Sequence, residues 1–250
     1  MQSLPALESL RAKIRRIEAG ERHASGVLPF GVPAMDVRLP DGGLARGALH
    51  EVAGGGNGAV HGAAAALFAA GIAARNAGPV LWCVVRQDLF APALAQVGLP
   101  PERILYVEAG DEDAALACFE EGLRHTGLAT VVAEISRLSL THSRRLQLAA
   151  EGSGAIGIAI RRWRRQADAV DFGQATAATT RWRITALPQP SSPVPGLARA
   201  RWQVELIRCR GGESADFAVE ACDAEGRLDL PADLADRPAE QEDRRERATA

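Results

Sequence analysis

Lysine is almost absent from this sequence. Lys13 is the only one in the chain, and every other basic side chain is an arginine. An ATP-hydrolysing phosphate loop needs a lysine for the β- and γ-phosphates, so Lys13 is the only residue that a mechanism of this kind has at its disposal.

Long apolar runs are missing as well. No stretch is long enough to cross a membrane, and the start MQSLPALESL lacks the apolar core that follows the basic segment of a signal peptide. The sequence therefore predicts a cytoplasmic protein with no membrane partner.

Metal-binding patterns are also lacking. The cysteines are Cys83, Cys118, Cys209 and Cys222. They form no CxxC pair, and His50 and His61 have no third ligand at metal-binding spacing, so we expect reduced thiols and no metal site.

The chain has little excess charge of either sign. Its formal net charge is −2 at pH 7, which gives no overall attraction to nucleic acid, so any basic surface must be local. With 250 residues, 47% of them hydrophobic and 24% charged, the composition is that of a globular protein with one large domain and short appendages.

The first 22 residues predict an amphipathic helix between Ser3 and Ala19. An apolar stripe at helical spacing consists of Leu4, Leu7, Leu10, Ile14 and Ile17. Because a lone helix of this length is marginal in water, we expect the stripe to be buried, either on its own domain or on another chain.

Residues 23–236 predict one α/β domain, and the charged residues 237–250 predict a disordered tail. Apolar strand candidates lie at 48–53, 80–85, 104–108, 130–135 and 155–160. Helical segments between them lie at 62–76, 113–125 and 143–151. This alternation is typical of a parallel sheet covered on both faces. Beyond it, period-two alternation at 180–186, 201–209 and 217–222 predicts antiparallel strands with one face in solvent.

A glycine-rich loop follows the first of these strands, where a phosphate-binding cradle would lie. The loop and its continuation are Gly54, Gly55, Gly56, Asn57, Gly58, Ala59, Val60 and His61. Val60 stands where such a loop has its lysine, and His61 where it has a magnesium-binding hydroxyl. We interpret the loop as a vestige kept as a tight turn, with weak nucleotide binding as the alternative.

Several segments carry a resemblance to a known family. The lead-in LPDGGLARGALHEVAG is similar to the approach to the ATP loop of the RecA recombinase family. The segments LPALESLRAKIRRIEAG, VLPFGVPAMD, SRRLQLAAEGSG and RRWRR resemble the ImuA branch of that family more closely. The resemblance covers residues 26–230 or so. It implies a RecA-like α/β fold, with a mostly parallel sheet extended by antiparallel C-terminal strands.

The resemblance also locates the family's catalytic positions. The glutamate that activates water falls on Gln87, whose amide cannot act as a base, and the aspartate that holds magnesium falls on Glu134. The first DNA-contacting loop is shortened to LSLTHS, and the second is retained at residues 161–177. We therefore expect a pseudo-ATPase without a cofactor; the alternative is a DNA-dependent ATPase with an atypical loop.

Arginines adjoin three of the four tryptophans. Because neighbours in a strand point to opposite faces, we expect Trp182 and Trp202 in the core and the adjacent Arg181, Arg183 and Arg201 in solvent. Arg181 and Arg183 are also candidates for contact with nucleic acid or a partner.

Trp163 differs from these two, because Arg161, Arg162, Arg164 and Arg165 surround it where the resemblance places a DNA loop. Arginines interleaved with an aromatic ring suit single-stranded DNA. An acidic partner surface and plain solvent are the competing interpretations.

The function that the resemblance implies is a non-catalytic scaffold in SOS-induced, error-prone translesion DNA synthesis. The implied partners are ImuB, a Y-family polymerase homologue, and through it a DnaE-type error-prone polymerase. RecA, single-stranded DNA and further copies of the chain are additional candidates. The rival is a SulA-like inhibitor of cell division; the length of the chain and its retained loop after Ile160 favour the first interpretation.

Overall fold

The computed structural model describes residues 26–56, 58–163, 169, 172–189 and 199–231. The predicted N-terminal helix with its stripe, the charged tail, Asn57, Arg164 and Arg165 lie outside these residues.

Ten strands and five α-helices form in the described part of the chain. The strands are β1 (Val27–Leu28), β2 (Leu44–Ala45), β3 (Ala48–Gly54), β4 (Val80–Val84), β5 (Ile104–Glu108), β6 (Thr130–Ile135), β7 (Ile156–Arg161), β8 (Thr180–Leu187), β9 (Arg201–Cys209) and β10 (Ala215–Glu220). The helices are α1 (Pro33–Asp36), α2 (Ala59–Arg75), α3 (Ala91–Gln96), α4 (Glu112–Arg124) and α5 (Leu140–Ser153).

One eight-stranded sheet organises the domain, with the order β10-β9-β8-β3-β7-β6-β4-β5. All strands from β8 through β3 to β5 run parallel to their neighbours, whereas β9 and β10 are antiparallel additions at one end. This confirms the predicted mixed architecture. The prediction for residues 180–186 was wrong in one respect, because β8 pairs with β3 in parallel and only its other edge is antiparallel.

Helices cover both faces of the parallel part, as the continuous apolar strands predict. Helix α2 packs on one face with buried alanines between Ala64 and Ala73, and their short side chains let the helix approach the sheet closely. Phe30, Phe68 and Trp182 pack against one another on this face, with ring centroids 5.4–5.7 Å apart. Trp182 and Trp202 are 0% and 2% exposed, which confirms their predicted place in the core.

Helices α4 and α5 lie on the other face and begin at side-chain caps. Asp111 accepts from the Ala114 N–H at 2.8 Å, and Ser139 accepts from the His142 N–H at 3.1 Å. Because of the second cap, α5 begins at Leu140, earlier than predicted. Most of the segment LSLTHS is therefore helix rather than a loop that contacts DNA.

All four cysteines are free, in agreement with the predicted reduced thiols. Burial raises the pKa of the Cys83 thiol to about 12. None of the described helices combines the length and apolar character that a membrane span requires.

Candidate functional site

The glycine-rich loop lies between the end of β3 and the start of α2, as predicted. The N–H of Gly55 donates to the carbonyl oxygen of Ile184 in β8 at 2.8 Å. A phosphate cradle directs such N–H groups at its ligand, whereas this one is used within the protein.

Close internal packing accounts for three glycines of the loop, Gly54, Gly55 and Gly56. A Cβ atom on Gly55 would lie 1.7 Å from Oγ1 of Thr185, and one on Gly56 would lie 3.0 Å from the imidazole of His61. The Nδ1 atom of His61 accepts from the N–H of Ala186 at 3.2 Å, so the imidazole links the loop to β8. The side chain of Val60 is 66% exposed and offers neither charge nor a hydrogen bond.

Replacing Gly55 by alanine is expected to lower the free energy of unfolding by about 1–3 kcal/mol, because the added methyl group overlaps Thr185. Gly62→Ala is the matched control: its Cβ would meet nothing within 4 Å, and alanine favours the helix. Urea unfolding of both variants measures the difference. A Gly55→Ala protein as stable as the parent would contradict a packing role.

The positions that the resemblance assigns to catalysis make other contacts. Glu134, near the end of β6, is 4% exposed and accepts from Nε1 of Trp82 at 3.1 Å. Its second oxygen forms an ion pair with Arg162. Gln87 is exposed, and its amide donates to the carboxylate of Glu108 at the edge of the sheet.

Arg162 also holds a second carboxylate, that of Asp88, which no pattern in the sequence singles out. Its Nη1 and Nη2 atoms lie 2.7 and 2.8 Å from Oδ1 and Oδ2 of Asp88. These hydrogen bonds hold the pKa of Asp88 below its ordinary value. Partial burial opposes the charge of Arg162, but its bonds to Asp88 and Glu134 raise the pKa of the guanidinium above its ordinary value.

These residues do not fit a magnesium–nucleotide group. Glu134, the carboxylate that the resemblance assigns to magnesium, is already bound to a guanidinium, and the loop sequence contains no lysine, serine or threonine. Over the described ranges there is also no group of three or more histidine, cysteine, aspartate or glutamate residues able to hold a metal ion.

Two arginines predicted to face DNA, a partner or solvent are instead buried. Arg161 and Arg181 are 1% and 5% exposed, and both bind Glu51 in the middle of β3. The distances are 2.8 Å from Nη1 of Arg161 to Oε2 and 2.9 Å from Nη2 of Arg181 to Oε1. The predictions for these two residues were wrong because Glu51 lies between them on the central strand, where an unpaired carboxylate would be very unfavourable.

Phe172 and Thr176 pack over this buried triad of Glu51, Arg161 and Arg181. The Thr176 hydroxyl donates to Glu51. The Phe172 ring centroid lies 6.0 Å from Cζ of Arg161, 5.0 Å from Cζ of Arg181 and 5.4 Å from the Trp163 ring centroid. Trp163 therefore packs edge-on against Phe172.

The two remaining arginine candidates in the described part of the chain are partly exposed. The side chains of Arg162 and Arg183 are 33% and 41% exposed, and Arg183 pairs with Glu205 at 3.3 Å. Both are already paired with carboxylates, so the predicted basic patch is weaker in its described part than the sequence suggests.

Comparison with known proteins settles the family. The sequence is 41% identical over 218 residues to Protein ImuA of Caulobacter vibrioides, in each of two strains, covering 83% of this chain and 88% of that protein. The chain belongs to the ImuA family. No protein-family model matches the sequence.

The fold of this ImuA family member is similar to that in the crystal structure of the RadB recombinase. The TM-score is 0.57, with 81% of this chain and 99% of that chain covered. At 18% sequence identity the similarity shows the fold alone, and it confirms the predicted RecA-like architecture.

Sequence reasoning about this ImuA family member missed three residues that contact the predicted site: Glu51, Asp88 and Thr185. Glu51 had a signal, since it is the one charged residue in the strand ALHEVAG. Asp88 and Thr185 had none, because each contacts a residue that is distant in the sequence. The structure also brings Arg162 to Glu134, although the two had been assigned to different roles.

Proposed function

We propose that this member of the ImuA family is a non-catalytic accessory protein of SOS-induced, error-prone translesion DNA synthesis. It acts in the cytoplasm as a scaffold whose RecA-like body binds ImuB, and through ImuB a DnaE-type polymerase. RecA and single-stranded DNA are further proposed partners.

The main support for a non-catalytic role is the ion pair between Glu134 and Arg162. A carboxylate that holds a guanidinium is not available to hold magnesium, and Gln87 provides no base. The predicted helix with Leu10 and Ile14 is the docking element that we propose for a partner. Arg164 and Arg165, with the exposed parts of Arg162 and Arg183, are the side chains that we propose for DNA or partner contact.

The proposal is tested first by recovering the full chain from DNA-damaged cells and identifying every protein that accompanies it. We expect ImuB, and we expect Leu10→Glu with Ile14→Glu to lose it while thermal stability is unchanged. Ser9→Glu with Ala12→Glu is the matched control, on the opposite side of the predicted helix. Recovery of the division protein FtsZ without ImuB would favour the SulA-like alternative.

The second arm measures ATP turnover by the purified protein with and without single-stranded DNA. We expect none, and no magnesium-dependent ATP binding in calorimetry, since Val60, His61 and Gln87 replace the groups that the reaction requires. Turnover that Glu134→Ala abolishes would overturn the non-catalytic proposal.

A further inference from the structure

One guanidinium connects three neighbouring strands at their carboxyl ends. Arg162 follows β7, Glu134 lies near the end of β6, and Asp88 belongs to the loop after β4; these strands are adjacent in the sheet. The backbone N–H of Arg162 donates to the carbonyl oxygen of Ile135 at 2.9 Å. The sheet therefore fixes the point from which the arginine side chain extends.

Arg162 forms a bridge between Glu134 and Asp88 and places its positive charge beside both carboxylates. Glu134 is buried, and its charge would be unfavourable without the guanidinium. The side chain of Asp88 is 44% exposed and is bound through two parallel hydrogen bonds, the strongest geometry for such a pair.

The other contacts of the Asp88 loop are made elsewhere: Leu89 packs against the core, and Gln87 donates to Glu108 of β5. A cavity of about 380 Å³ opens at the carboxyl ends of β4 and β6, and Arg162 forms part of its wall. Phe90, at the end of this loop, is 67% exposed. Through Arg162, ion pairs join Asp88 to Glu134 of β6 and to the end of β7.

We propose that Arg162 is a built-in cation that keeps residues 86–90 and the start of the segment after β7 in one fixed arrangement. It lies where the RecA resemblance would put a magnesium–nucleotide group. The inference rests on the proposed function in one respect: it requires that nucleotide binding does not rearrange these segments. Phe90 is consequently presented to solvent in a single orientation, whether or not ATP is present.

Amide hydrogen exchange of the full chain, without nucleotide or partner, tests this bridge. We expect Arg162→Met to raise the exchange rates of residues 86–90 and 162–163 by about tenfold, because local opening no longer breaks charge-assisted bonds. Arg183→Met is the matched control, since it removes a similarly exposed arginine with a single carboxylate partner. It should leave both segments unchanged.

Asp88→Asn provides a second route should Arg162→Met not fold, because Asp88 is on the surface. It should raise exchange at residues 86–90, and in the double variant its effect should not add to that of Arg162→Met. The bridge would be overturned if both single variants exchanged at the rate of the parent. It would also be overturned if Arg183→Met raised exchange equally, or if the effects of Arg162→Met and Asp88→Asn were additive. None of these results depends on ImuB or ATP, so the bridge and the proposed function can fail separately.

Discussion

Replacing Glu51 by glutamine is expected to lower the free energy of unfolding by about 3–5 kcal/mol, the range seen when one member of a buried ion pair is removed. Glu51 is 0% exposed and is the carboxylate that Arg161 and Arg181 share. Without it, two buried guanidinium groups face each other across β3. Urea unfolding measures the loss, and a fall in soluble yield is its extreme form.

Two further variants show whether uncompensated charge is the cause. Glu205→Gln removes the partner of the exposed Arg183 and should change stability by less than about 1 kcal/mol. Combining Glu51→Leu with Arg161→Met and Arg181→Met removes all three charges and should recover much of the stability. A Glu51→Gln protein as stable as Glu205→Gln would show that the buried triad contributes little.

Acid is expected to destabilise the domain through His50. Burial lowers the pKa of this imidazole to about 4, from 6.5 in an exposed histidine. Between these values the unfolded chain binds a proton that the folded chain excludes, so stability falls as the pH is lowered through this window. The loss from this residue amounts to roughly 3 kcal/mol and is complete near pH 4, where the folded form also takes the proton.

Burial favours the neutral form of His50, and two hydrogen bonds fix the orientation of the neutral ring. Its Nε2–H donates to the carbonyl oxygen of Ala45 at 2.9 Å, while Nδ1 accepts from the Thr180 hydroxyl at 2.8 Å. The Thr180 oxygen in turn accepts from Nε1 of Trp182 at 2.7 Å. A second proton, on Nδ1, would require the Thr180 hydroxyl to turn its hydrogen away and to accept from the ring as well as from Trp182.

Unfolding free energies of the parent and of His50→Gln, measured from pH 4 to pH 7, isolate this contribution. The difference between the two curves should change by roughly 3 kcal/mol across the range, with the parent losing more on the acid side. Parallel curves would show that His50 does not titrate as its burial implies.

Local patterns in the sequence were sufficient for the fold. Apolar runs such as residues 130–135 are recognisable because a strand buried on both faces excludes charge along its whole length. The period-two alternation around Trp202 was equally clear. Helix starts were less accurate, because a cap such as Ser139 lies outside the apolar pattern that marks the helix.

The sequence predicted which catalytic side chains the candidate site lacks. It did not predict the contacts that the site makes between residues far apart in the sequence. The positions of Val60, His61 and Gln87 could be identified from spacing and resemblance. The burial of Arg161 and Arg181 could not, because Glu51 is 110 and 130 residues away from them in the sequence. An arginine beside a tryptophan has the same local pattern whether it meets solvent or a buried carboxylate.

The position of β3 has a consequence for how the chain emerges from the ribosome. This strand is made early, yet both of its sheet neighbours, β7 and β8, are made more than a hundred residues later. A nascent chain that ends before Ile156 has neither edge of β3 paired and neither cation for Glu51. The centre of the domain therefore closes late in synthesis, and shortened chains expose an apolar strand with two open edges to aggregation.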